Sequence, residues 1–262
     1  MGLETKNLQV KYGEKLVLKD TNFKVINGEI VTVIGPNGSG KTTLIKALSR
    51  CIKVDRGNIY LNEKDIYEIP TREIAREMAI LPQVKHVSAD ITIENLVSYG
   101  RYPHLSFGKK ISKEDKDIIH WAIEKTGLTE LKSRYIGTLS GGERQRAWIA
   151  MALAQKPKIL ILDEPTTYLD ISFQLEVLEL IKELNVSLGI TVIMVLHDLN
   201  QAARYSDKIY VLRDGEIWEY GKPSNILQTK LLNDVFRIEA HIYEDEINHC
   251  PYFIPHKLKD SE

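Results

Sequence analysis

Hydrophobic and polar positions alternate in short runs over residues 3–34, which predicts strands joined by tight turns. The last of these runs, residues 30–34, is apolar throughout, as expected for a strand buried on both faces. After Gly40 the apolar period becomes that of a helix, and residues 58–61 predict a further strand. A strand, a glycine-containing loop and a helix in this order is typical of an α/β unit.

Helical periods dominate the middle of the chain, from about residue 82 to residue 155. Ser112 and Asp115 have the spacing of a capping box, and Thr92 can cap a second helix. A third helix ends at Lys156-Pro157, since proline cannot continue a helix. We therefore expect a helical insertion in a sheet-based core.

The α/β pattern resumes at Lys158 and continues to about residue 220. Residues 159–162 and 190–196 predict buried parallel strands on either side of an amphipathic helix that stops at Gly189. Asp214-Gly215 lies between two further strand patterns, and this dipeptide favours a hairpin turn. The fold class is therefore α/β.

Charge and composition narrow the function classes. The 262 residues include 35 Lys+Arg and 36 Asp+Glu, and this balance argues against a nucleic-acid scaffold. The aliphatic runs are shorter than the roughly 20 residues of a bilayer span, and the first residues lack a secretory pattern, so we expect a cytosolic chain. Two isolated cysteines, Cys51 and Cys250, are expected to be packing thiols.

A glycine-rich loop carries the first candidate chemistry. It fits the phosphate-loop pattern G-x-x-x-x-G-K-[ST] with the residues Gly35, Pro36, Asn37, Gly38, Ser39, Gly40, Lys41 and Thr42. Its backbone N–H groups can cradle phosphate, while Lys41 reaches the outer phosphates and the Thr42 hydroxyl can ligate Mg²⁺. A dinucleotide fingerprint is excluded because its third glycine is missing. Asn62-Glu63-Lys64-Asp65 has the wrong order for a guanine reader.

Two acids end the buried strand at residues 159–162. Neighbouring strand residues point in opposite directions, so Asp163 and Glu164 can have different roles. We expect Asp163 to hold Mg²⁺ through its water shell and Glu164 to polarise the attacking water.

A second anion-binding helix start follows from Leu139-Ser140-Gly141-Gly142-Glu143-Arg144-Gln145. Here the chain resembles the ABC-type ATPases, with Glu143 in place of the usual glutamine of their LSGGQ motif. Further motifs of that family occur in the expected order over nearly the whole chain. They are an adenine-stacking aromatic, the Q-loop glutamine, the D-loop and the switch histidine, at Tyr12, Gln83, Tyr168-Leu169-Asp170 and His197.

The resemblance implies a P-loop NTPase fold, with a RecA-like core, an antiparallel β subdomain and an inserted α-helical subdomain. One ABC ATPase domain would then span 1–262, with the core and β subdomain at 1–82 and 156–240, helices at 83–155, and a short tail at 241–262. ATP and Mg²⁺ are the implied cofactors, with Glu164, His197 and Gln83 catalytic and Thr42, Gln83 and Asp163 at the metal.

A head-to-tail dimer is implied as well, because one copy cannot complete a site. One copy would hold ATP through Tyr12 and its phosphate loop, residues 35–43, which includes Thr43. The second copy would add Ser140, Gly141, Gly142 and Asp170. Two anion-binding helix starts would close on the γ-phosphate, and hydrolysis would reopen the dimer.

Two local strings, at residues 99–104 and 164–170, resemble the ATPases of iron-siderophore, haem and cobalamin importers. This implies a peripheral subunit on the cytoplasmic face of the membrane, with permease partners, an indirect link to a substrate-binding protein, and no nucleic acid. The alternatives are an importer of another cargo, such as zinc or manganese, and a soluble ABC ATPase outside transport. The cargo that the resemblance implies is an iron chelate (siderophore) or a related metal complex, and this assignment depends on the resemblance alone.

The same resemblance implies that residues 83–104 form much of the groove for a permease coupling helix. Arg101 and His104 either touch that helix or pack locally. The charges at 113–117 are expected to form a solvated face. Irregular spacing argues against a metal site at His241, His249, Cys250 and His256.

Overall fold

The computed structural model describes residues 2–83, 87–105 and 110–259. In chain order their strands and longer helices are β1 (Gly2–Tyr12), β2 (Lys15–Thr21), β3 (Lys24–Ile26), β4 (Ile30–Ile34), α1 (Lys41–Leu48), β5 (Arg56–Leu61), β6 (Lys64–Asp65), α2 (Thr71–Glu77), β7 (Met78–Leu81), α3 (Ile93–Ser98), α4 (Lys113–Lys125), α5 (Gly141–Ala154), β8 (Ile159–Asp163), α6 (Ile171–Leu188), β9 (Thr191–Val195), α7 (Leu199–Tyr205), β10 (Lys208–Arg213), β11 (Glu216–Gly221), α8 (Pro223–Ile226), α9 (Thr229–Asp234), β12 (Ile238–Asp245) and β13 (Cys250–Leu258). Short 3₁₀ turns span Tyr99–His104, Thr129–Leu131 and Ile136–Thr138.

These elements fall into two compact units. The first contains the described residues up to Glu68 together with those from Thr191 onward, and the second is Ile69–Ile190. Helices α3, α4 and α5 all lie within the predicted helical insertion at 83–155, whose bounds stay a prediction.

The first unit contains an antiparallel sheet in the order β2-β1-β5-β6, with β3 also paired to β1. Its buried face carries Leu3, Leu8 and Leu18, each without exposed surface. Apolar burial of this kind is the main stabilising contribution to a sheet with one solvated face. The sheet ends at the turn after Tyr12, which pairs with Lys15.

A second set of strands in this unit runs in the order β11-β10-β4-β9. As the apolar runs predict, β4 is parallel to both β9 and β10, and every residue of β4 and β9 is buried. The Asp214-Gly215 hairpin is also confirmed, with φ of 51° and 84° at the two positions, as a type I′ turn requires. Because Val33 pairs with Val195, the loops after β4 and β9 leave at the same edge.

In the second unit, β7 and β8 are parallel and pair Leu81 with Leu162. Helices α3, α4 and α5 pack against one another, and α6 ends at Gly189, which has a φ of 66°. The predicted Ser112–Asp115 capping box and the Thr92 cap are both present. The residues after β7 and β8 therefore also leave at one edge.

Two expectations about single residues were wrong. Asp115 is not part of a solvated face: it is 8% exposed and accepts a 2.9 Å hydrogen bond from Arg101 Nε. Arg101 is itself 5% exposed and also donates to the Ala154 carbonyl, so it packs locally. Cys51 is exposed rather than packed, whereas Cys250 is buried.

The segment predicted as a short tail contains most of a β-hairpin, β12–β13, which the sequence pattern does not indicate. Asn200 of α7 holds this hairpin through two hydrogen bonds to the backbone of Phe253. Across the described ranges, no cluster of three or more histidine, cysteine or acidic side chains could hold a metal ion. No helix within them is both long and apolar enough to span a membrane.

Candidate functional site

The phosphate loop in the first unit joins β4 to α1 and depends on two glycines. Gly35 has a φ of 151°, and a Cβ there would lie 2.0 Å from the Leu212 carbonyl oxygen of β10. Gly40 precedes α1 with a φ of 105°, a conformation that side chains disfavour. The loop can therefore lie close to β10 and turn into the helix only with glycine at these positions.

Polar groups of this loop fit an anionic ligand. Lys41 is 6% exposed, and its Nζ donates to the carbonyl oxygens of Gly35 and Pro36 at 2.8 and 2.9 Å. Ser39 Oγ is buried and, within the described residues, has no hydrogen-bond partner. A phosphate oxygen would satisfy this hydroxyl, which would otherwise cost free energy. The loop thus has a cation, an orphaned donor and a helix N-terminus for phosphate.

His197 and Tyr12 belong to the same unit as the phosphate loop. His197 is exposed and follows β9, the parallel neighbour of β4, so it leaves the sheet at the same edge as the loop. Asp198 caps the next helix by accepting from the Gln201 N–H at 2.9 Å. Tyr12 is 49% exposed at the end of β1, which leaves its ring accessible for stacking.

Gln83 and Glu164 come together in the second unit, at the carboxyl ends of β7 and β8. Gln83 Nε2 donates to Glu164 Oε2, which also accepts from Thr167 Oγ1 at 3.0 Å. Two donors on one carboxylate oxygen fix the rotamer of Glu164. Asp163 beside it is 3% exposed. The two adjacent acids therefore have different surroundings, as the alternation along a strand predicts.

Glu164 and Tyr168 have left-handed backbones, with φ of 53° and 65°. Non-glycine residues in this region are uncommon and cluster at functional sites. Tyr168 is 97% exposed, and Asp170 begins α6 without a side-chain cap hydrogen bond. The residues after β8 thus form a strained loop in which Tyr168 is exposed while Thr166 stays buried.

The start of α5 is closed by a capping box that the sequence analysis did not identify. Ser140 Oγ accepts from the Glu143 N–H at 3.2 Å, and Glu143 Oε2 accepts from the Ser140 N–H at 2.8 Å. The N–H of Ser140 and the arginines Arg134 and Arg146 lower the pKa of the Glu143 carboxyl. Spacing could have found this contact, because Ser-x-x-Glu is a capping-box signature.

Comparison with known proteins decides the family. The sequence profile described as ABC transporter matches residues 18–167, which is more than half of the chain. The chain belongs to the ABC transporter family. It is 44% identical over 260 residues to the iron(3+)-hydroxamate import ATP-binding protein FhuC of Bacillus subtilis (strain 168), covering 99% of this chain and 97% of that protein.

Solved ABC structures extend the likeness to three dimensions. One is described as an inward-facing conformation of a metal-chelate type ABC transporter, with a TM-score of 0.85, 28% identity and coverage of 98% and 97% of the two chains. A second is a dimeric post-hydrolysis state of an ATP-binding cassette bound to ADP and Pi, with a TM-score of 0.72, 28% identity and coverage of 84% and 98%.

The predicted P-loop NTPase fold, with mixed α/β content, is therefore confirmed for this ABC protein. It is an ATP-binding ATPase, and cassettes of its family form dimers and work with transmembrane permeases. Two contacts in the cassette had no sequence signal of their own. Thr167 bonds to Glu164, and Phe173 lies against Gly142. Motifs identify residue types, whereas these contacts depend on the course of the loop after β8.

Proposed function

We propose that this chain is the ATP-hydrolysing subunit of an importer for an iron chelate of the siderophore class. The observation that carries the proposal is the similarity to an iron(3+)-hydroxamate import ATP-binding protein over 99% of the chain. A petrobactin import ATP-binding protein of Bacillus anthracis is 46% identical over 254 residues, 97% of this chain and 93% of that one, which supports the same cargo class.

In the proposed reaction, residues 35–43 hold the triphosphate and Tyr12 stacks on adenine. Glu164 orients and polarises the attacking water, and His197 and Gln83 are proposed to act at the γ-phosphate that this water attacks. The bonds from Gln83 and Thr167 support this role, because they fix the carboxylate that must meet the water. Asp163 is the last residue of β8, and every residue of this strand is buried, so few side-chain positions are open to it.

Mg²⁺ is the second proposed cofactor. The donor set fits a hard cation, since Thr42, Asp163 and Gln83 offer hydroxyl, carboxylate and amide oxygens. Bound there, the ion would neutralise charge on the phosphates during transfer. Thr42 is the second residue of α1, directly after Lys41, so its hydroxyl lies next to the loop that holds phosphate.

We further propose a head-to-tail dimer at the cytoplasmic face of the membrane, peripherally bound through permease subunits, with the substrate-binding protein linked only through the permease. Ser140, Gly141, Gly142 and Asp170 of one copy would meet the ATP held by the other. The exposed Tyr168 and Ile171, at 97% and 76%, support a partner on this face. Nucleic acid has no place in this assembly.

The permease groove is proposed to lie along the described part of residues 83–104. Arg101 is buried, and His104 Nε2 lies 2.9 Å from the Gln155 carbonyl oxygen, so both anchor the segment. Tyr99 and Tyr102 are 39% and 57% exposed with ring centroids 5.1 Å apart. These two rings, rather than Arg101, would meet the coupling helix.

Uptake tests the cargo. A strain that lacks this gene should lose accumulation of ⁵⁵Fe presented as a hydroxamate chelate, and the wild-type gene should restore it. The Glu164→Gln gene serves as the control for hydrolysis, because it should be expressed and fail to restore uptake. Normal iron accumulation with loss of zinc or manganese uptake would contradict the cargo. A wholly soluble native protein without a co-purifying permease would contradict transport itself.

A further inference from the structure

The start of α5 lies unusually close to the start of α6 within the second unit. A Cβ at Gly142 would come within 2.5 Å of the Phe173 ring, and one at Gly141 would lie 3.1 Å from Leu169 Cδ2. Real Cβ atoms essentially never approach another heavy atom below 3.0 Å. Gly141 and Gly142, at the start of α5 (the signature helix), are thus in van der Waals contact with Leu169 and Phe173.

The chain just before residues 169–173 carries the carboxylate of Glu164, which we propose to be catalytic. Glu164 accepts from the Thr167 hydroxyl, and the Thr167 N–H donates back to the Glu164 carbonyl at 3.4 Å. The Leu169 N–H donates to Thr166 O at 3.3 Å, and Gln174 Nε2 donates to Leu169 O at 2.9 Å. Residues 164–170 therefore form a hydrogen-bonded turn that leads directly into α6.

We propose that Phe173 is a positioning residue that fixes the signature helix start, Ser140–Gly142, against the turn that carries Glu164. The inference rests on the proposed head-to-tail dimer, in which Glu164 serves the ATP held by its own chain and Ser140 serves the ATP held by the partner. Residues 164–173 then connect the two nucleotides through one chain. Displacement of the Glu164 turn at one site shifts the donors of the other.

The physical reason lies in the glycines. The Ser140–Glu143 capping box closes the first turn of α5 through hydrogen bonds, but Gly141 and Gly142 bring no side-chain packing to it. Glycine backbones also have the largest conformational freedom. The half-buried ring of Phe173 supplies that restraint. Without the ring, the capped turn is free to shift against α6, and fixing its position when ATP binds weakens closure of the dimer.

The test uses ATP-dependent dimer formation in a Glu164→Gln background, measured by sedimentation with Mg²⁺ and ATP. Adding Phe173→Ala should weaken dimer formation about tenfold, the order of one lost contact, while ATP binding to the single chain stays unchanged. Phe173→Tyr keeps the ring and should restore the dimer. Val186→Ala is the matched control, since Val186 lies on the same helix and is 77% exposed.

Kinetics separate positioning from general destabilisation. Phe173→Ala in the otherwise wild-type chain should lower the Hill coefficient for ATP toward one, with the melting temperature followed in parallel. Gly142→Ala should impair closure through its clash with the ring, and Phe173→Ala should partly rescue it in the double variant. This rescue separates the steric contact from a general loss of stability, because destabilisation alone would leave the double variant weaker than either single variant.

The outcomes separate the two proposals. If the Glu164→Gln chain alone forms no ATP-dependent dimer, the proposed function fails and the inference with it. If that chain dimerises and Phe173→Ala changes neither dimer formation nor the Hill coefficient, only the role of Phe173 is wrong.

Discussion

Glu164 combines a strained backbone with a fixed side chain, at a φ of 53° and with two hydrogen-bond donors on one carboxylate oxygen. Residue types alone identify this acid, because it ends an apolar strand in a chain that also has a phosphate loop. Its contact with Gln83 could not be derived in this way, since the two residues are 81 positions apart. Only the parallel pairing of β7 and β8 brings them together.

Replacing Glu164 by glutamine should remove the carboxylate that we propose polarises water, while preserving side-chain size and most hydrogen bonds. We expect phosphate release to fall by about 10²–10⁴-fold, the usual contribution of a general base. ATP affinity should be unchanged because Lys41 and the loop amides are untouched. Glu183→Gln, an exposed position on α6, is the control. Full turnover by the Glu164 variant would exclude its proposed role.

At the scale of elements, the capping chemistry shows what spacing can predict. The spacing of Ser112 and Asp115 predicts a capping box, and that box is present. The box at Ser140 and Glu143 has the same spacing, but its two glycines also fit an anion-binding helix start, so the pattern alone supports two interpretations. Arg101 was ambiguous because sequence position does not reveal burial, which here depends on α4 and α5 together.

Glu143 should make the start of α5 sensitive to acid. Its pKa is lowered in the folded protein, first by the Ser140 N–H, so its contribution to stability is present at neutral pH. That contribution is lost as the pH falls below the ordinary glutamate value of about 4.3 and through the lower folded pKa. Glu143→Gln should therefore reduce the dependence of the melting temperature on pH between about 5 and 3. An unchanged pH profile would contradict this role.

Arg101 should be a strong determinant of stability in the second unit. Arg101→Met leaves the Asp115 carboxylate buried without its cation, and breaking such pairs costs about 3–5 kcal/mol. Urea unfolding measures this loss. Arg101→Met combined with Asp115→Leu should recover part of the lost free energy of unfolding, because neither buried charge then remains. A single-variant loss below about 1 kcal/mol, the range of exposed pairs, would show that the ion pair is not buried in solution.

At the scale of the whole molecule, one chain has a single phosphate loop and a single signature helix, at Lys41 and Ser140. If each ATP needs the loop of one copy and the helix of the other, damage to the two motifs must complement between chains. A composite site is one that contains the phosphate loop of one copy and the signature helix of the other. In a mixed dimer of Lys41→Ala and Ser140→Arg chains, both substitutions fall on the same composite site. The second site then consists of an intact loop and an intact helix.

Each variant alone should lack hydrolysis, because every site in its homodimer has one damaged half. An equal mixture should recover about a quarter of the wild-type sites, since half of randomly paired dimers are mixed and each has one intact site of two. Independent turnover by these sites would give about a quarter of the wild-type rate, whereas obligatory coupling between sites would give less. Phosphate release after mixing measures the recovered rate of hydrolysis. The control is each variant alone at the same total protein concentration. An inactive mixture in which mixed dimers are demonstrated would show that both sites must be intact, and activity in either variant alone would contradict the composite site.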